Sequence, residues 1–178
     1  MRLRSFLLFA GFALALVTAG EVKANDPEFS YTTEGKVWAI AISANGEYIA
    51  AGSDDDKVYL FDMNSSTPLW DYTTGDDVRS IAISSNGEYI AAGSFDSKVY
   101  LFNKDDDTPF RSYSTGHDVV SVAISADGKY IAAGSIDNKV YLFDKDSSTP
   151  LWSYNTGNWV WSVTISTDGE YIGAGSHR

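Results

Sequence analysis

The chain has 178 residues, 44% of them hydrophobic and 14% aromatic, with 24 Asp and Glu against 13 Lys and Arg and no cysteine. That length supports a domain with a real core, the apolar content exceeds what a disordered acidic segment carries, and the missing cysteines exclude disulfides, thiolate catalysis and zinc–thiolate sites. A formal charge of −11 argues against nucleic acid as a partner, because phosphate binding draws on clustered Lys and Arg.

Residues 1–24 read as a secretory signal peptide: Arg2 and Arg4 precede an apolar run from Phe6 to Val17, and small residues follow before a polar boundary. The run is shorter than the roughly 20 residues of a spanning helix. Cleavage is placed after Ala24, with Ala19 as the second candidate, and an uncleaved anchor is the alternative. This reading puts the mature chain outside the cytoplasm, as a secreted, periplasmic or cell-surface protein with no stable membrane span.

Residues 25–178 repeat one motif. Tyr31, Tyr72, Tyr113 and Tyr154 recur every 41 residues, and segments 72–112 and 113–153 share 27 of 41 positions. A period of this length predicts units that bury their faces only against one another. The units are 31–71, 72–112, 113–153 and a partial 154–178, after a first strand at 27–33. Each complete unit predicts four strands, here a to d. In the second unit Val78–Ser84 is apolar and β-branched, Asn86-Gly87 turns it into Glu88–Ser94, a turn around Asp96 leads to Lys98–Phe102, and an acidic loop leads to the outer strand at Thr108–Tyr113. Gly46, Gly87, Gly128 and Gly169 follow Asn or Asp in the a–b turns, the dipeptides suited to positive φ in a short hairpin. The prediction is an all-β fold of four-stranded antiparallel propeller blades.

Segment 125–144, SADGKYIAAGSIDNKVYLFD, resembles a WD40 repeat, with its Asp-Gly turn, Gly-Ser and Asp. Phe61-Asp62, Phe102-Asn103 and Phe143-Asp144 stand in the place of the closing Trp-Asp. Asp55, Asp96 and Asp137 match the family's structural Asp, whereas its Gly-His pair occurs only at Gly116-His117, so the resemblance implies an incomplete His–Ser/Thr–Asp–Trp network. Segment 147–157 is also similar to the Trp-containing strand of quinoprotein propellers. The residues as a whole are read as a non-enzymatic scaffold that binds a protein or glycan partner.

Counting one d strand, three full units and strands a and b of a fourth gives fifteen strands, one short of four blades. The expected ring is therefore incomplete, about three and a half blades. Three readings follow: a piece of a larger, quinoprotein-like propeller, a homo-oligomer that completes the ring, or a four-blade ring closed on itself with one defective blade. Open blade edges also suit a structural surface component that assembles by strand pairing.

Positions that differ between near-identical repeats are not demanded by the blade. They concentrate at Trp38, Arg79, Val120 and Trp161, with Lys36, Asp77, Asp118 and Trp159, at the start of strand a. They recur at Asp54, Phe95, Ile136 and His177 in the b–c turn. Both sets fall on one propeller face, and exposed Trp and Arg suit partner recognition. The opposite face carries acidic c–d loops, where Asp62 and Asn64, Asp105 and Asp107, and Asp144 and Asp146 place oxygens at alternate positions. That spacing makes weak calcium candidates, set against ordinary turn bonding of Asp and Asn; no other cofactor is implied. Two histidines and four serines repeated at one blade position, Ser53, Ser94, Ser135 and Ser176, offer no activated nucleophile.

Overall fold

The computed structural model describes residues 3–9, 13–19 and 30–177. The blades form as the sequence predicts. In the first, β4 (Val37–Ile42), β5 (Tyr48–Ser53), β6 (Lys57–Asp62) and β7 (Trp70–Thr73) make one antiparallel meander. The second repeats it with β8 (Val78–Ile83), β9 (Tyr89–Ser94), β10 (Lys98–Asn103) and β11 (Arg111–Ser114), and the third with β12 (Val119–Ile124), β13 (Tyr130–Ser135), β14 (Lys139–Asp144) and β15 (Trp152–Asn155). Strands β16 (Val160–Ile165) and β17 (Ile172–Ser176) stand alone as a two-stranded half-blade.

Each a–b turn closes on a glycine with φ between +70° and +78°, a region open to glycine without steric cost. The tighter b–c turns place Asp56, Ser97 and Asn138 at positive φ, where short polar side chains are tolerated. In the three full blades strands b and c are buried almost throughout, and their alternation sends one set of side chains to the preceding blade and the other to the following one. Ala91, Val99, Leu101 and Tyr113 of the second blade thus meet Val119, Val122, Ile131, Ala133, Tyr141 and Phe143 of the third in one cluster. Phe61, Phe102 and Phe143, in the Trp-Asp place, are among the most buried side chains, each contributing about 2–3 kcal/mol by apolar burial. Each packs on aromatic rings of the strand before its blade: Phe61 on Tyr31, Phe102 on Trp70 and Tyr72, and Phe143 on Tyr113.

The start of the chain adds a feature the repeat pattern does not announce. Strands β1 (Leu3–Phe9) and β2 (Ala13–Ala19) pair antiparallel, and β2 pairs with β3 (Ser30–Tyr31), Leu14 opposite Tyr31. One repeat on, Val58 lies opposite Tyr72 in the c–d pair, so β2 takes the place of a c strand in register. The strand expected at 27–33 is therefore seen at Ser30–Tyr31; positions 27–29, the cleavage position at Ala24 and Arg178 lie outside the described residues. No helix among the described residues is long and apolar enough to cross a membrane. Strand β3 pairs with β2 and not with β17, so the ring is open at about three and a half blades and the reading of a four-blade ring closed on itself is set aside.

Candidate binding face

The a strands are the inner strands, β8 lying between β4 and β12, and β12 between β8 and β16. Each pairs with its b strand through the same irregularity. Register shifts between Val37 and Ala39, Val78 and Ser80, Val119 and Ser121, and Val160 and Ser162. The extra residue in each case is Trp38, Arg79, Val120 or Trp161, one of the positions that vary between repeats. A bulge residue has no partner across the ladder, and its side chain is re-aimed out of the strand's alternation. Core-facing neighbours on either side, such as Val78 and Ile81, stay buried, so the bulge lets one position change without disturbing the blade.

A second repeated contact fixes the b–c turn beside this bulge. The amides of Asp54, Phe95, Ile136 and His177 donate to the carbonyls of Lys36, Asp77, Asp118 and Trp159 at 2.9–3.1 Å. The two sets of variable positions accordingly lie on one face. At the first two units they also touch. The Arg79 guanidinium carbon sits 3.9 Å from the Trp38 ring centroid and 4.5 Å from that of Phe95. Its Nη2 lies 3.0 Å from Asp77 Oδ2, while its Nε is buried without a hydrogen-bond partner; ring faces hold the cation there in place of an acceptor. Lys36 Nζ stands 5.8 Å from the centroid of the same Trp38 ring. At the half-blade, Trp159 and Trp161 meet edge to face with centroids 5.7 Å apart. Trp38, Trp159 and Trp161 are all exposed, while Val120 and Ile136 are half-buried between the two aromatic groups in chain order. No contact joins the Trp38–Arg79–Phe95 group to the Trp159–Trp161 pair among the described residues.

Beneath this face a hydrogen-bond network, repeated in each full blade, holds the loops. Asp96 accepts from the Gly75 and Lys98 amides, each at 3.0 Å, and from the Tyr100 hydroxyl. Asp137 accepts from Gly116, Lys139 and Tyr141 at 2.8, 2.9 and 2.5 Å, and Asp55 from Glu34, Lys57 and Tyr59 at 3.1, 3.2 and 2.8 Å. Thr74, Thr115 and Thr156 hydroxyls donate to the carbonyl two residues on at 2.6–2.7 Å. Burial first, then the hydrogen bond to the Asp carboxylate, pushes the Tyr59, Tyr100 and Tyr141 hydroxyls far above the ordinary tyrosine range. Tyrosine and threonine thus complete the network that looks incomplete when only His and Trp are sought. Their signal was present as the constant positions Tyr59, Tyr100 and Tyr141. The His117 ring is exposed and its Nδ1 lies 2.8 Å from Asp118 Oδ1; its carbonyl, not its ring, accepts from Ser135 and Thr115.

On the opposite face the c–d loops use their oxygens internally. Asp62 Oδ1 accepts from the Asn64 amide at 2.7 Å and Asp144 Oδ1 from the Asp146 amide at 2.9 Å. Asp105 and Asp146 pair with Lys104 and Lys145, each at 2.7 Å, and Asp107 with the Thr108 hydroxyl at 3.1 Å. Carboxylates converge instead on the variable face, where Asp56, Asp76 and Asp77 place oxygens within 4.8 Å of one another. Burial, followed by the charges of Asp76 and Asp77, raises the Asp56 carboxyl above its ordinary value. The sequence hid this group because its members sit in two loops separated by strands β6 and β7.

Blades of four antiparallel strands, each tied by an Asp between the d–a loop and the b–c turn, define a β-propeller repeat protein. The WD domain, G-beta repeat (WD40) family matches residues 26–62, 66–103 and 108–144, more than half of the chain. The chain belongs to the WD40 family. No curated protein is matched. WD40 domains are generally non-catalytic scaffolds that bind other proteins.

Proposed function

We propose that the chain is an exported, non-enzymatic scaffold that binds a protein partner through the face carrying the four bulges. The observation that carries this reading is the coincidence of bulge and variation: the framework repeats nearly unchanged, and the residue it re-aims is tryptophan twice, arginine once and valine once. Exposed Trp and Arg side chains are the groups that anchor interfaces. Asp76 and Asp77 add negative charge beside Arg79, so a partner with an apolar anchor ringed by basic groups fits best. Export rests on the composition of residues 1–24, and cleavage after Ala24 removes β1 and β2 and bares the edge of β3.

The test uses protein expressed from the whole sequence in its own host and recovered from outside the cell. Its first residue is read by terminal sequencing, and cross-linked partners are compared between wild type and the Trp38→Ala/Trp161→Ala variant. An N-terminus at Asn25, and partners lost from the variant at unchanged melting temperature, are expected. A chain retained inside the cell overturns export, and an unchanged partner set overturns the assignment of this face.

A further inference from the structure

Of the eight asparagines in the chain, Asn64 alone heads an Asn-X-Ser/Thr triplet, Asn64-Ser65-Ser66, with no proline in the middle. That triplet is the acceptor sequence for N-linked sugar on the surface loops of exported chains. It falls in the c–d loop between β6 and β7, on the face opposite the bulges, and both Asn64 and Ser66 are exposed. The exposure belongs to the loop and not to its place in the chain. Asp105 and Asp146, one and two repeats on, have side chains 75% and 72% exposed although a full blade precedes each.

The bonds within the loop leave the triplet accessible. The Ser65 amide closes a tight turn by donating to the Asp62 carbonyl at 3.0 Å, and Asp62 Oδ1 accepts from the Asn64 amide at 2.7 Å and from Asn64 Nδ2 at 3.1 Å. A carboxamide nitrogen carries two hydrogens, so this bond uses one and leaves the other for an incoming group. Ser65, in the middle of the triplet, donates its hydroxyl to the Thr67 carbonyl at 2.9 Å. The Ser66 hydroxyl makes no hydrogen bond among the described residues.

The other two loops charge their tips. Lys104 and Lys145 place Nζ 2.7 Å from the carboxylates of Asp105 and Asp146, whereas the first loop has buried Met63 and neutral Asn64 at these two positions. Its tip therefore offers an uncharged carboxamide with no ion pair across it. The backbone is otherwise shared with the third loop, where the Asp146 and Ser147 amides donate to Asp144 at 2.9 and 3.0 Å and the Ser147 hydroxyl to the Thr149 carbonyl at 2.9 Å. Asp146-Ser147-Ser148 differs from the first triplet in the acceptor residue alone.

We propose that Asn64 is an N-glycosylation site. Its Nδ2 bonds to C1 of a sugar carried on a lipid phosphate as the bond from C1 to the phosphate oxygen breaks. The lipid phosphate leaves with the electron pair, and one Nδ2 proton passes to solvent. Donor and transferring enzyme are those of the membrane across which the host exports its proteins, so the inference rests on export. A glycan attached here lies on the face opposite Trp38 and Arg79 and leaves the binding face uncovered.

The test expresses the whole sequence in its own host and takes the intact mass and peptide fragmentation of the chain recovered from outside the cell. Added oligosaccharide mass on the peptide containing Asn64 is expected, lost in Asn64→Gln and in Ser66→Ala and kept in Ser66→Thr. Asp146→Asn is expected to gain a second glycan, and its failure to do so would overturn the role given to the loop's geometry. An exported chain with the mass of its bare sequence, or added sugar that survives both Asn64→Gln and Ser66→Ala, overturns the site and leaves export standing. A chain held inside the cell overturns export instead. The purified chain is then given to host membranes with their lipid-linked donor, where sugar on Asn64 sustains the site and a bare chain overturns it.

Discussion

Asp127 and Asp168 hold in the third and fourth units the turn position that Asn45 and Asn86 hold in the first two. All four oxygens do the same work. Asp127 Oδ1 accepts from the Ser125 hydroxyl at 2.6 Å and the Lys129 amide at 2.9 Å, and Asn45 Oδ1 from the Ser43 hydroxyl at 2.5 Å and the Glu47 amide at 3.1 Å. Only the aspartates titrate. The Ser125 hydroxyl, then the Lys129 amide, lowers the Asp127 carboxyl below its ordinary 3.8, and Ser166 and Glu170 do the same for Asp168. A depressed carboxyl contributes stability that is complete above its unfolded value and is lost as pH falls through its folded value. The double variant Asp127→Asn/Asp168→Asn keeps both bonds and loses the titration. Its unfolding midpoint in urea is expected to match wild type at pH 7 and to fall less steeply below about pH 4. Parallel acid limbs would remove these turns as a source of acid sensitivity.

At the scale of elements, the a–b turn is also a contact between blades. Gly46 and Gly128 share the same backbone, with φ of +70° and +76°. A methyl group on Gly46 would meet nothing within 4 Å, whereas on Gly128 it would lie 2.3 Å from Cδ2 of Tyr89 in the preceding blade. Gly46→Ala should therefore cost only the left-handed backbone, about 1–2 kcal/mol. Gly128→Ala adds displacement of the Tyr89 ring, a further 1–3 kcal/mol or so. Urea unfolding of the two variants isolates the packing contribution, and equal losses would show that the tyrosine yields freely. Strands and turns of this kind were legible in the sequence because β-branched alternation and Asn-Gly or Asp-Gly dipeptides act locally. The strands of the three full blades and of the half-blade appear where that pattern puts them. The bulges were not read, although the slip in alternation at Trp38, Arg79, Val120 and Trp161 encodes them. The stacking of Arg79 between Trp38 and Phe95 joins three adjoining loops and strands, and local pattern carries no distance between them. The pairing of β2 with β3 was illegible for another reason: an apolar run of that length satisfies a leader and a buried strand equally.

The whole molecule behaves as a row of blades, since each buries its faces only against its neighbours, and stability in such a row is a sum of unit and junction contributions. The junctions are unequal. The second joins ten buried residues from two full blades, Val119 among them. The last joins Ala132, Val140, Val160 and Val163, with Trp152 and Tyr154 left open to solvent. Local opening starts where few apolar contacts hold a backbone that water already reaches. Amides of β16 and β17 are therefore expected to exchange before those of β9 and β13. Val119 and Val160 are both fully buried at the same blade position, and truncating either to alanine removes about 2 kcal/mol of packing. The consequences differ by junction. Val119→Ala should lower protection across the second and third blades together, because it weakens the contact that couples them. Val160→Ala should speed exchange in β16 and β17 alone and leave β5 and β9 as protected as in wild type. Uniform loss across all blades from Val160→Ala would mean that the half-blade and the three full blades open as one unit, and that the open junction is as strongly coupled as the closed ones.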